Sequence, residues 1–131
     1  LDVAHNPHAA ATLAQNLGNM GFHRFTYAVF GIMQDKDIDA VVAHMAPYVD
    51  HWCVAALDSP RSADPAVLAT KLEALKPSGA KDDEFSVKTF ANPAEAFADA
   101  TSRAGQDDRI VVFGSFYTVA GVMAARKSSL H

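Results

Sequence analysis

The stretch Phe25-Thr-Tyr-Ala-Val-Phe30, closed by Gly31, carries aromatic and β-branched residues with apolar side chains on both faces of an extended chain. A strand with one face in water alternates polar and apolar residues, so a strand that does not alternate is one covered by helices on each side. Outward from it the period changes. From Asp37, Ile38, Val41, Val42 and Met45 recur at helical spacing up to Pro47. Trp52 to Leu57 reads as the next strand. Asp64-Pro65 opens a helix with Leu68, Leu72 and Leu75 on one face, and Phe85 to Phe90 is a weaker strand. Asn92-Pro93 with Glu95 has the pattern of a capping box, opening a helix with Phe97, Ala100 and Ala104 inward and Gly105 at its end. Ile110 to Phe113 is the last strand, and Ser115 caps a final helix whose buried face is expected at Phe116, Val119, Ala120 and Met123.

Upstream, Leu1 to Val3 has the look of the end of a buried strand. Asn6-Pro7 supplies a cap and a proline at the first helical position, Ala10, Leu13, Ala14 and Leu17 form the inward stripe, and Gly18 stands where a left-handed C-terminal cap is wanted. Strands that each lead into a helix imply parallel pairing, because the crossover helix packs back onto the sheet. The expectation is therefore an α/β fold: a three-layer, Rossmann-like domain with a mainly parallel five-stranded sheet between helices. The stretch from Lys76 to Glu84 reads as an exposed loop.

The chain has 131 residues, half of them hydrophobic and 20% charged, which suits one globular domain and excludes a disordered polar segment. A formal charge of -4 argues against the basic face that nucleic acid requires. One cysteine, Cys53, cannot form an internal disulfide and points to a reducing, cytoplasmic setting. No apolar run is long enough to span a membrane and no signal peptide is visible, so neither secretion nor a membrane is expected. The chain opens at Leu1, without methionine and inside a site-like loop, which makes a fragment of a longer protein the expectation.

In open α/β sheets ligands bind beyond the carboxyl ends of the strands. Three such loops carry polar residues that their turns do not obviously need: Asp2-Val-Ala-His-Asn-Pro-His8, Gly31-Ile-Met-Gln-Asp-Lys-Asp37 and Gly114-Ser-Phe-Tyr117. Asp2 suits the paired hydroxyls of a ribose, or else nearby backbone amides. His5 suits a phosphate, a carboxylate or a proton transfer, or else is a satisfied loop histidine. His5 and His8 lack a matching carboxylate or cysteine cluster, so no protein-only metal site is expected. Lys36 presents its ammonium to an acidic group or is a solvated surface lysine. Ser115 lacks the flanking glycines of a hydrolase elbow, since Phe113 and Tyr117 stand there, and is read as a helix cap able to bind an anion. The remaining loops look like plain connections, although Arg61 can reach an anion. No phosphate-binding loop and no dinucleotide fingerprint occurs, so any nucleotide is shared with another domain.

Leu-Asp-Val-Ala-His-Asn-Pro-His-Ala-Ala (1 to 10), Gly31 to Asp37 and Val112-Phe-Gly-Ser-Phe-Tyr-Thr-Val119, in this order and spacing, resemble the C-terminal domain of the bacterial folylpolyglutamate synthase/dihydrofolate synthase family, relatives of the Mur ligases. The resemblance implies that residues 1–131 are the glutamate-binding, ATP-contacting domain, with a P-loop ATPase domain preceding it in the parent chain. It implies a ligation that uses ATP with Mg2+, the metal ligands lying in that other domain, and joins L-glutamate to dihydropteroate or folate. It assigns Asp2 to the nucleotide, His5 to the catalytic position near phosphate and glutamate, and Lys36, Ser115 and Asn6 to substrate. It also implies a monomer, and the strand order 1-5-2-3-4 along the sheet. Two other readings stand beside it: a free-standing flavodoxin-like module that binds an anion or a protein, and the C-terminal domain of another Mur-type ligase.

Overall fold

The computed structural model describes residues 6–19 and 24–129. Thr26–Phe30 (β1) is buried at all five positions, as a strand without alternation must be when both its faces are covered. His51–Ala55 (β2) is equally enclosed. β1 pairs in parallel with β2 on one side and with Arg109–Phe113 (β4) on the other, and β2 pairs in parallel with Ser86–Phe90 (β3). The sheet order is β3-β2-β1-β4. This corrects the expected five strands. The described sheet has four, because the first expected strand, Leu1 to Val3, falls outside the described residues. The four that are described stand in the relative order that 1-5-2-3-4 gives them.

The two sheet faces follow from the alternation of Cβ directions. Ala28, Phe30, Trp52, Val54 and Phe113 face one layer, made by Pro7–Asn19 (α1), Ile38–Met45 (α2) and Pro65–Glu73 (α3). At its centre Phe30 stacks on Phe113 at 4.8 Å between centroids, and Trp52 meets Phe30 edge-on at 5.7 Å. Tyr27, Val29, Cys53, Ala55 and Val112 face Pro93–Arg103 (α4) and Phe116–Ser129 (α5). Each large aromatic or aliphatic side chain buried this way contributes roughly 1.5–3 kcal/mol. Side-chain oxygens of Asn6, Asp37, Asp64 and Asn92 accept amides of the first turns they precede, at 2.8 to 3.3 Å.

Four local expectations are revised by packing. Gly18 does not end α1 in a left-handed cap. The helix runs through it to Asn19, and a Cβ there would lie 3.2 Å from the Tyr48 ring, so close approach is what the glycine permits. Leu75 falls beyond α3 and is exposed. The buried side of α5 is Thr118, Val119 and Val122, while Phe116 and Met123 face outward, because Gly121 is turned onto Pro93 of α4 and sets the rotation of the helix. Leu57 likewise leaves the sheet, its N–H donating to Ser62 Oγ at 2.8 Å.

At the amino edge of the sheet polar groups satisfy one another. Asp50 accepts from the Thr26 amide at 2.8 Å, Arg109 donates to Thr26 Oγ1 at 2.6 Å and to the Leu17 carbonyl at 3.1 Å, and Asp108 accepts from Phe25 N at 3.1 Å. His51 is buried there, stacked on Tyr27 at 4.7 Å, with Nδ1 2.8 Å from Ser86 Oγ. Ser86 Oγ also accepts from Arg103 at 3.3 Å, which leaves its own proton to donate to a neutral imidazole.

Burial, and then the positive charge of Arg103, push the His51 pKa below its ordinary 6.5. The unfolded chain therefore binds this proton more tightly than the folded one. The contribution of His51 is whole above pH 6.5 and is lost as pH falls below it. Unfolding in denaturant at about pH 7.5 and about pH 5.5 is expected to show lower stability at the acid value, with His51→Gln removing part of the difference. An unchanged pH slope in that variant would assign the acid sensitivity elsewhere.

Candidate functional site

β1 and β4 lie side by side and end together, so the loops that leave them emerge as neighbours. Their close approach requires glycine at position 114. A Cβ on Gly114 would lie 2.2 Å from the Gly31 carbonyl oxygen, and Gly114 itself has φ +112°, a conformation that L side chains rarely adopt. The buried Thr118 hydroxyl, one turn into α5, donates to that same Gly31 carbonyl at 2.8 Å. The start of α5 is thereby held against the end of β1.

The loop after β1 is in turn tied to the loop after β2. Gln34 N donates to the Arg61 carbonyl at 2.7 Å, Ala63 N donates to the Ile32 carbonyl at 2.8 Å, and Met33 forms an antiparallel bridge with Ser62. Three loops from three adjacent strands thus enclose a cleft of ≈ 260 Å³, lined by Met33, Lys36, Arg61, Ser115, Phe116 and Tyr117, with Gly114 at its base.

Within this cleft Ser115 is buried, and its Oγ accepts from the Tyr117 amide at 3.1 Å, so it caps α5 and keeps its own O–H to donate. Among the described residues the lining has no histidine or carboxylate that would take its proton, and the hydroxyl is placed there for binding. Both charged lining residues, Lys36 and Arg61, are cationic. Lys36 has no acidic partner among the described residues, whereas Arg61 is paired with Asp35. Together with the positive end of α5, the cleft suits a small anion. Ligands of drug size take pockets from about 300 Å³ upward. A ligand of amino-acid size is the better match.

Of the residues expected to carry the site, the structure brings Lys36 and Ser115 into one cleft. Asn6 is placed otherwise: its Oδ1 accepts from Ala9 N at 2.8 Å and its carbonyl from Ala10 N at 2.9 Å, so it caps α1 and does not line the cleft. Asp2 and His5 lie outside the described residues. Among the described residues no group of three His, Cys, Asp or Glu is placed to hold a metal ion. In sequence the loop after β2 has the pattern of a plain connection in which Arg61 can reach an anion, and nothing in the spacing of two distant loops records the bridge between Met33 and Ser62. Thr118 was missed because a mid-turn threonine reads as ordinary helix.

The family model described as Mur ligase, glutamate ligase domain matches residues 1–116. The chain belongs to that family. The chain is 37% identical over 122 residues to the dihydrofolate synthase/folylpolyglutamate synthase of Escherichia coli strain K12, a match spanning 93% of the chain and 26% of that relative. Its structure superposes on that of E. coli FolC in complex with DHPP and ADP with a TM-score of 0.88 at 34% identity, covering all of this chain and 29% of the other. It also resembles, with a TM-score of 0.79 and 37% identity over 97% of this chain and 28% of that one, a bifunctional folylpolyglutamate synthase/dihydrofolate synthase with Mn, AMPPNP and L-glutamate bound. The chain therefore spans little more than a quarter of the length of these relatives.

The glycine contact yields a direct test. Gly114→Ala forces a side chain at φ +112° against the Gly31 carbonyl, and is expected to lower the stability of the domain by about 2–4 kcal/mol in denaturant unfolding. Gly79→Ala, also at positive φ but with nothing within 4 Å, should cost less, about 1 kcal/mol. Equal effects would mean that the backbone approach is unimportant.

Proposed function

We propose that this glutamate ligase domain is the C-terminal part of an ATP-dependent ligase that adds L-glutamate to dihydropteroate and to folates in the cytoplasm. A P-loop ATPase domain precedes it in the same parent chain, which acts as a monomer. The observation that carries the reading is the convergence of Lys36, Arg61 and the Ser115 hydroxyl on one small cleft at the carboxyl edge of the sheet. Support also comes from the relatives: the E. coli protein is named for both activities, and a solved neighbour holds L-glutamate together with AMPPNP and Mn.

In this reaction the carboxylate of the pteroate or folate attacks the terminal phosphorus of ATP, giving an acyl phosphate and ADP. The amine of L-glutamate then attacks the acyl carbon, an amide bond forms, inorganic phosphate leaves and the amine gives up a proton. Lys36 and Ser115 hold the incoming glutamate through its carboxylates, so that the amine approaches in a fixed orientation. By resemblance Asp2 contacts the nucleotide and His5 stands near the phosphates and the glutamate. By resemblance the ligands of the Mg2+ that accompanies ATP lie in the preceding domain, and no step is assigned to the ion here. An acyl phosphate hydrolyses when water reaches it, and a two-domain clamp that closes before chemistry protects it.

Two measurements test the proposal. The full-length protein is expected to form ADP only when dihydropteroate or folate, L-glutamate and Mg-ATP are all present, and residues 1–131 alone are expected to form none. Turnover by the isolated chain would overturn the two-domain reading. His5→Ala in the full-length protein is expected to lower kcat on the order of a hundredfold. Unchanged kinetics would make His5 a structural residue.

A further inference from the structure

We infer that Arg61 reads the second carboxylate of the incoming amino acid, and that Asp35 occupies its guanidinium until that ligand arrives. The inference rests on the ligase reading and adds to it a specificity residue and its resting partner. Lys36 follows β1 and Arg61 follows β2, yet both line the same cleft. Their backbones are fixed relative to each other by the Gln34 to Arg61 and Ala63 to Ile32 hydrogen bonds, at 2.7 and 2.8 Å, and by the Met33–Ser62 bridge. Only the side chains have room to move.

The two cations differ in state. Lys36 has no acidic partner among the described residues, so one carboxylate entering the cleft finds an uncompensated ammonium. Arg61 donates to Asp35 Oδ2, and the two side chains are 62% and 47% exposed. An ion pair this open to water holds its partners weakly and exchanges readily. Asp35 itself does not line the cleft. A carboxylate arriving inside the cleft can therefore take over a guanidinium whose planar fork matches it with two hydrogen bonds, while the Asp35 carboxylate returns to water. A ligand with a single carboxylate satisfies Lys36 and leaves the Arg61–Asp35 pair undisturbed. A ligand with two carboxylates engages both cations, and that difference selects a dicarboxylic amino acid over its singly charged amides.

The test uses steady-state kinetics of the full-length protein with L-glutamate, L-glutamine and the α-amide of glutamate as acceptors. Arg61→Ala is expected to raise KM for L-glutamate about tenfold or more, with kcat changed by less than about threefold. It should also narrow the preference for L-glutamate over whichever amide lacks the carboxylate that Arg61 holds, and leave the preference over the other amide intact. Asp35→Asn removes the internal competitor, keeps Arg61, and is expected to lower KM for L-glutamate. An unchanged KM in Arg61→Ala overturns the inference, as does an equal rise for all three acceptors, since a merely structural loss would not discriminate among them. A raised KM in Asp35→Asn also overturns it, because Asp35 would then be orienting Arg61. These failures leave glutamate-dependent ADP formation by the unsubstituted protein intact, whereas absence of that activity removes the ligase reading and this inference with it.

Discussion

The backbone contact between Gly31 and Gly114 sets the geometry on which the candidate site depends. Two parallel strands that stop side by side would ordinarily send their loops apart, because each Cβ and carbonyl needs its own space. With no Cβ at Gly114, the turn after β4 closes over the end of β1, at a spacing that would put a Gly114 Cβ 2.2 Å from the Gly31 oxygen. The Thr118 hydroxyl then uses that carbonyl as its acceptor, so α5 begins over the sheet edge with Ser115 and its first-turn amides facing the cleft. A side chain at Gly114 would move the helix start, and with it one wall of the cleft, whereas one at Gly31 would meet Leu57 and the Ala55 carbonyl.

The two edges of the sheet are built differently. At the amino edge Asp50, Arg109, Asp108, His51, Ser86 and Arg103 are joined in hydrogen bonds within the fold. At the carboxyl edge Lys36 has no acidic partner among the described residues, Arg61 is held by a solvent-open pair, and Phe116 and Tyr117 are 75% and 51% exposed. Buried polar groups that satisfy one another stabilise a fold and have little left for a ligand, whereas an uncompensated cation and exposed aromatic rings at one edge have interactions still to make. The contrast sets the candidate site at one edge against a self-satisfied, His51-bearing network at the other.

Under the proposed ligase reading, recognition of an amino acid takes a few fixed charges and a hydroxyl, which Lys36, Arg61 and Ser115 place around one cleft of ≈ 260 Å³. Phosphoryl transfer requires a phosphate cradle and a metal, for which the described residues have no ligand group. The chain matches little more than a quarter of the length of its relatives.

The fold was largely legible before the coordinates because burial on two sides leaves a periodic mark. Phe25 to Phe30 lacks alternation, α2 repeats at helical spacing, and the capping residues Asn6, Asp64 and Asn92 precede the helices they were expected to start. Those signals are local, since capping and amphipathicity act within one or two turns. Lys36 and Ser115 were legible for a related reason: both follow strands, and strand ends are where an α/β sheet exposes its loops. The rotation of α5, the helical continuation through Gly18 and the arrival of Arg61 beside Lys36 were not legible. Each depends on contacts between segments far apart in the chain: Gly121 on Pro93, Gly18 on Tyr48, and Met33 on Ser62. By itself the sequence determined the elements, their layers and the edge that holds the site, because these follow from side-chain periodicity. Only the tertiary structure decided which loops meet there and which charges are already paired, because those depend on distances between residues that no local pattern encodes.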